Sequence, residues 1–369
     1  MMIYIHIAVI GLLIVQDFLL WVLTHSKFID HSKRDSERKL PMVSVLVPAR
    51  NEEMDLLACL KSLEKLIYPG GKIQFVIGDD QSKDNTPTII QEWVSQGENR
   101  VFVAVEEAAD PNKINGKANA LSQMAKVADG DFYFYTDADC AVNPLWVMEM
   151  LGAYKPESGL IKGITVVRVT SLFSAMQGID WWITLGMVKI TSDLRRPMTG
   201  MGNNMMLSKK AYWRVGGFEN TPFSVTEDFA LAQALIAEGY HPIHQVSAES
   251  LVVTKSERSF LDLMKQRKRW MKGALSLPWY WLLLLALQCC FFPSIIYLIL
   301  YYPYFGVGIW LIKIIIQSLF IREFAAKTET KVSYFHLLCF EFYYSIISWS
   351  TIGYYFWPST INWKGRQYR

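Results

Sequence analysis

Acidic and amide residues gather at three places in the first half of this chain, each directly after a short apolar run. Pro48, Arg50, Asn51 and Glu52 follow Val43–Val47; Asp79 and Asp80, then Ser82, Asp84 and Asn85, follow Ile73–Ile77; Asp137 and Asp139 follow Asp131–Tyr135. Carboxylates brought to one rim repel one another unless a cation or a donor-rich ligand lies between them. Such oxygen donors suit a hard divalent ion, Mg²⁺ or Mn²⁺, held by one or two carboxylates plus phosphate oxygens, with a hydroxyl-rich ligand beside it. By itself Asp137-Ala138-Asp139 says little, since acidic pairs after strands are common on surfaces; Asp79 and Asp80 upstream give it weight. Farther on, Asp228 opens a helical stretch, 228–238, that Thr226 caps and Gly239 ends. A carboxylate there is placed to take a proton from a hydroxyl, or simply to complement the helix dipole together with Glu227. Lys117 after Gly116, taken alone, reads as a solvated lysine beside a turn. The Gly-rich stretch Gly200-Met201-Gly202-Asn203-Asn204 reads either as a close approach to a ligand or as a tight loop.

Strands and helices must position these groups. Val43–Val47, Ile73–Ile77, Val101–Val105 and Asp131–Tyr135 read as buried strands, and 52–67, 84–96 and 117–128 as the helices between them. That alternation predicts an α/β domain with a mostly parallel sheet and helices on both faces. Ligands of such sheets bind beyond the carboxyl ends of the strands, where the acidic groups stand.

The apolar residues lie mainly at the two ends. Of 369 residues, 51% are hydrophobic, 14% aromatic and only 19% charged, which excludes a disordered chain and argues against a purely soluble one. A net charge of +3 gives no reason to expect a nucleic-acid partner. Residues 3–23 suit a membrane helix, and Lys33, Arg34, Arg38 and Lys39 after it predict that the following residues are cytoplasmic. Two further spans are expected at 279–300 and 304–321, the first about 33 Å long, and a third apolar run covers Tyr334–Trp357. Three such spans would put the tail outside, whereas Arg322, Lys327 and Lys331, and then Lys364, Arg366 and Arg369, favour the cytoplasm; either one bias loses or the last run does not cross. Residues 259–276 alternate Lys265, Arg267, Lys268, Arg269 and Lys272 with apolar side chains, the pattern of a helix lying on an anionic membrane face. Ser171–Ile190, with Phe173, Met176, Trp181 and Trp182, is either a second interfacial helix or core. The five cysteines form no C-x-x-C pair, so no zinc or redox motif is present. The expected organisation is a membrane helix (1–25), a cytoplasmic linker (26–42), a catalytic domain (43–258), an interfacial helix (259–276), a membrane region of about three apolar segments (277–357) and a basic tail (358–369).

Six segments, in order, resemble the processive and lipid-directed family 2 glycosyltransferases of the GT-A fold. They are Val43-Ser-Val-Leu-Val-Pro-Ala-Arg-Asn-Glu-Glu53, Asp79-Asp80 with Ser82 and Asn85-Thr86, Gly116-Lys117-Ala118-Asn119-Ala120-Leu121, Asp137-Ala-Asp139, Thr226-Glu227-Asp228 and Gln266-Arg-Lys-Arg269-Trp270. The core motifs resemble those of cellulose and hyaluronan synthases. The tail Asn362-Trp363-Lys364-Gly365-Arg366 resembles that of ceramide glucosyltransferases and carotenoid-type glycosyltransferases. The resemblance implies a Rossmann-like GT-A domain with transmembrane helices, a nucleotide diphosphate sugar (a UDP-sugar first) as donor, Mg²⁺ or Mn²⁺ as cofactor, and a lipid hydroxyl as acceptor at the cytoplasmic face. It also implies that Pro48, Arg50, Asn51 and Glu52 line the nucleotide site and that Asp79 or Asp80 reaches the base or ribose. Lys117 would lie near the phosphates, Asp137 would contact ribose or metal, and Asp139 would be the main metal ligand. Asp228 would be the general base, and Gln266, Arg269 and Trp270, with Glu227, would serve pyrophosphate and acceptor. Asn204 matches a Gly-x-Asn motif on the acceptor side.

The competing readings are a processive polysaccharide synthase, which needs a channel that few spans would supply, and a membrane transporter or nucleotide-binding scaffold. A transporter places charge within the membrane, and here only Asp17, Lys313 and Glu341 qualify. An inert scaffold predicts a lost metal or base carboxylate, and none is missing.

Overall fold

The computed structural model describes residues 2–32, 40–195, 202–275, 277, 279–364 and 366–368. Lys33, Arg34, Arg38 and Lys39, and the Gly200-Met201 part of the Gly-rich stretch, lie outside them. The chain divides into a helical unit (residues 2–28, 167–191 and 256–359) and a sheet unit (residues 29–166, 192–255 and 360–368). The helix at 172–191 thus belongs with the apolar helices, and the tail belongs with the strands.

The strands are β1 (Val43–Ala49), β2 (Ile73–Asp79), β3 (Arg100–Ala104), β4 (Phe132–Thr136), β5 (Cys140–Val142), β6 (Leu160–Lys162), β7 (Ile164–Val167), β8 (Asn204–Ser208), β9 (Ile243–His244), β10 (Leu251–Thr254), β11 (Ile361–Trp363) and β12 (Arg366–Tyr368). A seven-stranded sheet has the order β3-β2-β1-β4-β8-β6-β9. β1 pairs in parallel with β2 and β4, and β2 with β3, while β8 runs antiparallel between β4 and β6. The sheet is therefore mostly parallel with one reversed strand. β1 and β4 lie side by side where the strand order turns back, the position at which open α/β sheets bind ligands.

Both faces are covered, which explains why the strand runs are continuously apolar rather than alternating. Val43, Val45 and Val47 of β1, with Phe134 of β4, pack on one face against Leu56, Cys59, Leu60, Ile90, Trp93 and Trp146 from helices. Leu46, Tyr133 and Tyr135 point to the other face, against Leu121, Met124, Tyr212 and Leu231. The period-two alternation of Cβ directions sends neighbouring residues to opposite cores. The expected helices appear at Leu56–Leu63, Thr86–Val94 and Gly116–Lys126, shorter than their apolar patterns suggested.

Among the described residues of the helical unit, three helices are long and apolar enough to cross a membrane: Met2–Ser26, Trp279–Tyr301 and Pro303–Ala326. The second is interrupted between Cys289 and Phe291. Pro293, which has no N–H and crowds the preceding turn, accounts for the break. Tyr334–Phe356 forms a helix but is not among the three. The three charges expected within the membrane converge: Lys313 Nζ lies 2.7 Å from Glu341 and also bonds Gln317, and Asp17 is close enough to interact with both charged groups. Buried charges persist when paired, and Lys313 and Glu341 are paired inside the helical unit.

The helix at Leu172–Asp193 is core. Trp182 is buried edge-on against Phe324, and Trp181 meets Trp270 edge-to-face. The basic helix Phe260–Ala274 begins at Ser259, whose hydroxyl accepts from the Asp262 N–H. Its cationic face is narrower than the sequence suggested. Lys268 is buried and donates to the Trp357 and Ser359 carbonyls at 2.8 and 2.9 Å, and Arg267 is bound to Asp180. All five cysteines are free thiols.

Candidate functional site

The carboxyl ends of β1, β2 and β4 and the start of the Gly116–Lys126 helix border a narrow recess that opens to solvent, lined among others by Pro48, Arg50, Asp80, Lys117, Asp137 and Lys364. Asn51 and Gln81 both adopt left-handed backbone conformations (φ 51° and 58°) as the chain turns off its strands. Asn51 laces the two turns together, its N–H donating to Ser82 Oγ (2.9 Å) and its Oδ1 accepting from the Lys83 N–H (2.8 Å). Its amide thus shapes the rim. Arg50 donates to the Asp80 carbonyl at 2.5 Å and stands 3.8 Å from the Asp80 carboxylate.

Asp79 and Asp80 differ in what they hold. Burial pushes the Asp80 carboxyl above the usual range, against the pull of Arg366 and Arg50. Asp79 is buried, and its Oδ1 has no hydrogen-bond partner among the described residues. An orphaned buried acceptor is unfavourable unless a ligand donor reaches it, and a ribose hydroxyl or base N–H has the right chemistry.

Lys117 is not the solvated lysine that its neighbourhood suggested. Asn115 caps the helix by accepting from the Ala118 N–H (2.9 Å), and Lys117 in the first turn is directed at carboxylates. Its Nζ lies 2.6 Å from Asp137 Oδ1 and 3.4 Å from Glu227 Oε1. Burial opposes its charge, but Asp137, Glu227 and Asp228 together hold its pKa above the ordinary lysine value. Glu227 is pushed up by burial and by Asp228, with Lys117 pulling the other way.

Asp139 is likewise raised, first by burial and then by Asp137 and Glu52, with Lys255 and Lys364 partly compensating. Among the described residues no three His, Cys, Asp or Glu side chains form a metal cage. Two carboxylates on one loop, in a cluster that a cation relieves, fit an ion that completes its shell with phosphate oxygens and water, as Mg²⁺ and Mn²⁺ do. Cys59 and Cys140 beside them are raised by burial, then by Asp139 and Asp137, which leaves both as unreactive thiols.

Asp228 lies in the first turn of the Glu227–Ala237 helix. Its Oδ2 accepts the Gly202 N–H at 2.6 Å and its Oδ1 the Phe229 N–H at 2.8 Å, so two backbone donors orient the carboxylate. Thr226 precedes the helix but makes no side-chain cap; its hydroxyl meets Ser224 instead.

Asn204 stands apart from the open site. It is fully buried, accepts from Trp146 Nε1 (2.9 Å) and donates to the carbonyls of Ile164 (2.7 Å) and Ser250 (2.9 Å). Its side chain clips strands together and faces no open space. Gln266, Arg269 and Trp270 are on the basic helix of the helical unit, where Gln266 donates to Glu257 at 2.7 Å and Trp270 lies under Arg267, 5.0 Å from ring centroid to guanidinium.

Lys255 was missed in the sequence. It follows β10 and places Nζ 2.9 Å from Glu52, 2.9 Å from Asp55 and 3.4 Å from Asp139. Its local signal is its place directly after an apolar strand, the same position that the acidic residues occupy on β1, β2 and β4. Buried Lys162, on β6 and near enough to Asp228 to feel its charge, also left no local signal.

The family model for glycosyl transferase family 21 matches residues 2–369. The chain is 24% identical over 252 residues to the beta-monoglucosyldiacylglycerol synthase of Nostoc sp. (strain PCC 7120), covering 66% of this chain and 51% of that one. It is 27% identical over 239 residues to the poly-beta-1,6-N-acetyl-D-glucosamine synthase of Staphylococcus aureus (strain COL), covering 64% and 55%. The chain spans about half the length of these curated relatives. Among solved structures, mannosyltransferase PcManGT from Pyrobaculum calidifontis, in complex with GDP-Man and Mn²⁺, aligns over 97% of this chain and 99% of its own with a TM-score of 0.61 and 16% identity. That likeness shows the shared GT-A fold.

Proposed function

The chain belongs to glycosyl transferase family 21, and from that premise we propose that it is a membrane-bound inverting glycosyltransferase. It moves a hexose from a nucleotide diphosphate sugar, UDP-sugars first, to a lipid hydroxyl at the cytoplasmic face. The carrying observation is that one end of the sheet unit holds Asp137, Asp139, Lys117 and Glu227, with Asp228 oriented by the Gly202 N–H.

Asp228 takes the proton of the acceptor hydroxyl. The acceptor oxygen bonds the anomeric carbon as that carbon's bond to the phosphate oxygen breaks, the configuration inverts, and a nucleoside diphosphate leaves. Lys117 and Lys255 supply positive charge along the diphosphate, and Asp79 and Arg50 meet the nucleoside end. Asp139 and Asp137 would hold Mg²⁺ or Mn²⁺, which would supply positive charge to the leaving diphosphate.

The lipid acceptor is supported by the three long apolar helices and by the glycolipid relative's name. A topology with the tail on the catalytic side is supported by residues 360–368 sharing a compact unit with the catalytic strands. Trp279–Tyr301 then crosses outward, Pro303–Ala326 returns, and Tyr334–Phe356 does not complete a crossing. In this arrangement Arg322, Lys327, Lys331, Lys364 and Arg366 share the cytoplasmic side, which the positive-inside bias favours.

The test offers detergent-purified protein with Mn²⁺ a panel of UDP- and GDP-sugars, with and without membrane lipid, and measures nucleoside diphosphate release. Release from one donor that requires lipid supports the reading. Lipid-independent release with a growing polymer replaces it with a polysaccharide synthase.

A further inference from the structure

The C-terminal hairpin is stapled to the rim of the donor recess. β11 and β12 pair Trp363 with Arg366, and Lys364 in the connection has φ 47°, an uncommon conformation for a residue with a side chain. Its carbonyl accepts from Arg50 Nε at 2.9 Å, and its Nζ donates to buried Glu52 at 2.5 Å. Arg366 forks onto the buried Asp80 carboxylate at 2.5 and 2.8 Å. The guanidinium lies so close to the start of the Gly116–Lys126 helix that a Cβ on Gly116 would come within 1.7 Å of Arg366 Nη1. A side chain at position 116 would therefore displace the Arg366 guanidinium from this position. Lys364 forms one wall of the recess beside Arg50, Lys117 and Asp137.

Resting on the donor-site reading above, we propose that the hairpin completes the donor pocket. Lys364 contacts the diphosphate of the nucleotide sugar directly, and Arg366 is a positioning residue that fixes the hairpin through Asp80. Lys364 stands in the recess wall beside Arg50, Lys117 and Asp137, and an ammonium held by carboxylates can exchange one of them for a phosphate oxygen, which is likewise an anionic acceptor. A bidentate guanidinium fixes orientation as well as charge, which suits a staple.

The experiment is calorimetric titration of the full-length protein in detergent with UDP, GDP and uridine in the presence of Mn²⁺. Lys364→Met is expected to weaken the preferred nucleoside diphosphate about 10- to 100-fold, the range of a charge-assisted hydrogen bond, while uridine binding stays within about twofold. Lys364→Arg restores most of the affinity. Arg366→Gln and Gly116→Ala are expected to lower the diphosphate-to-nucleoside affinity ratio in the same direction, with Arg366→Lys intermediate; a merely structural loss would reduce both ligands together. Melting curves identify any variant that fails to fold, and the Lys364→Arg comparison then carries the test. If the wild type binds UDP or GDP and Lys364→Met binds it equally or more tightly, the inference is overturned and the donor-site reading stands. If the wild type binds neither nucleoside diphosphate, both are overturned.

Discussion

Asn204→Ala separates a structural role from a role in acceptor binding. The wild-type amide is enclosed, packed directly on Gly163, where a Cβ would come within 2.3 Å of Asn204 Oδ1. Truncation removes its hydrogen bonds to Trp146, Ile164 and Ser250 and leaves one N–H and two carbonyls buried without that partner. Each orphaned group costs about 1–3 kcal/mol; relaxation puts the sum in the lower part of the range, about 3–5 kcal/mol. In a domain of roughly 200 residues each kcal/mol moves Tm by about 2–4 °C, so a fall of roughly 6–20 °C is expected. The assay is thermal unfolding of the purified variant followed by tryptophan fluorescence. It is paired with steady-state kinetics well below the transition, where kcat and the acceptor KM stay within about twofold of wild type. An unchanged Tm with a raised acceptor KM would refute the reasoning and return Asn204 to the acceptor site.

Asp228→Asn preserves an oxygen for the Gly202 N–H but no base; donor binding by calorimetry should be unchanged while kcat falls about 10²- to 10⁴-fold, and full turnover would remove Asp228 from that role. Asp139 has its carboxyl raised by burial and by Asp137 and Glu52. Because the ion needs the deprotonated form, Mn²⁺ affinity should decline with acid at a higher pH than an ordinary aspartate near 3.8 would give, and Asp139→Ala should abolish both that titration and metal-dependent activity. Burial pushes the Lys162 ammonium down to about 8 from 10.5. Below pH 8 it is charged in both states and the full burial penalty is present; between 8 and 10.5 only the unfolded chain holds the proton, so stability rises with pH and the penalty disappears. Lys162→Met should therefore stabilise by about 3 kcal/mol at pH 7, with the gain in Tm fading across that window; a gain that does not vary with pH would contradict the assignment.

The strands and the acidic clusters were legible because their causes are local. Val43–Val47 and Asp131–Tyr135 are apolar at every position since both faces of the sheet are covered, and a ligand-binding strand must end in polar residues wherever its carboxyl end meets the site. The three helices of membrane-crossing length were equally readable, because length and apolarity alone define them. What the tertiary structure decided concerns residues whose local surroundings say nothing about their partners. Lys117, Lys255, Lys364 and Arg366 each have the local look of a solvated cation, and only the assembled sheet brings them to Asp137, Glu52 and Asp80, in the widest case across 312 positions of sequence. Asn204 shows the converse. Its motif suggested a ligand, but its place on β8 between Trp146, Ile164 and Ser250 uses up its amide inside the protein. A side chain's type fixes what it can bind, whereas its partner depends on which distant strands the fold sets beside it.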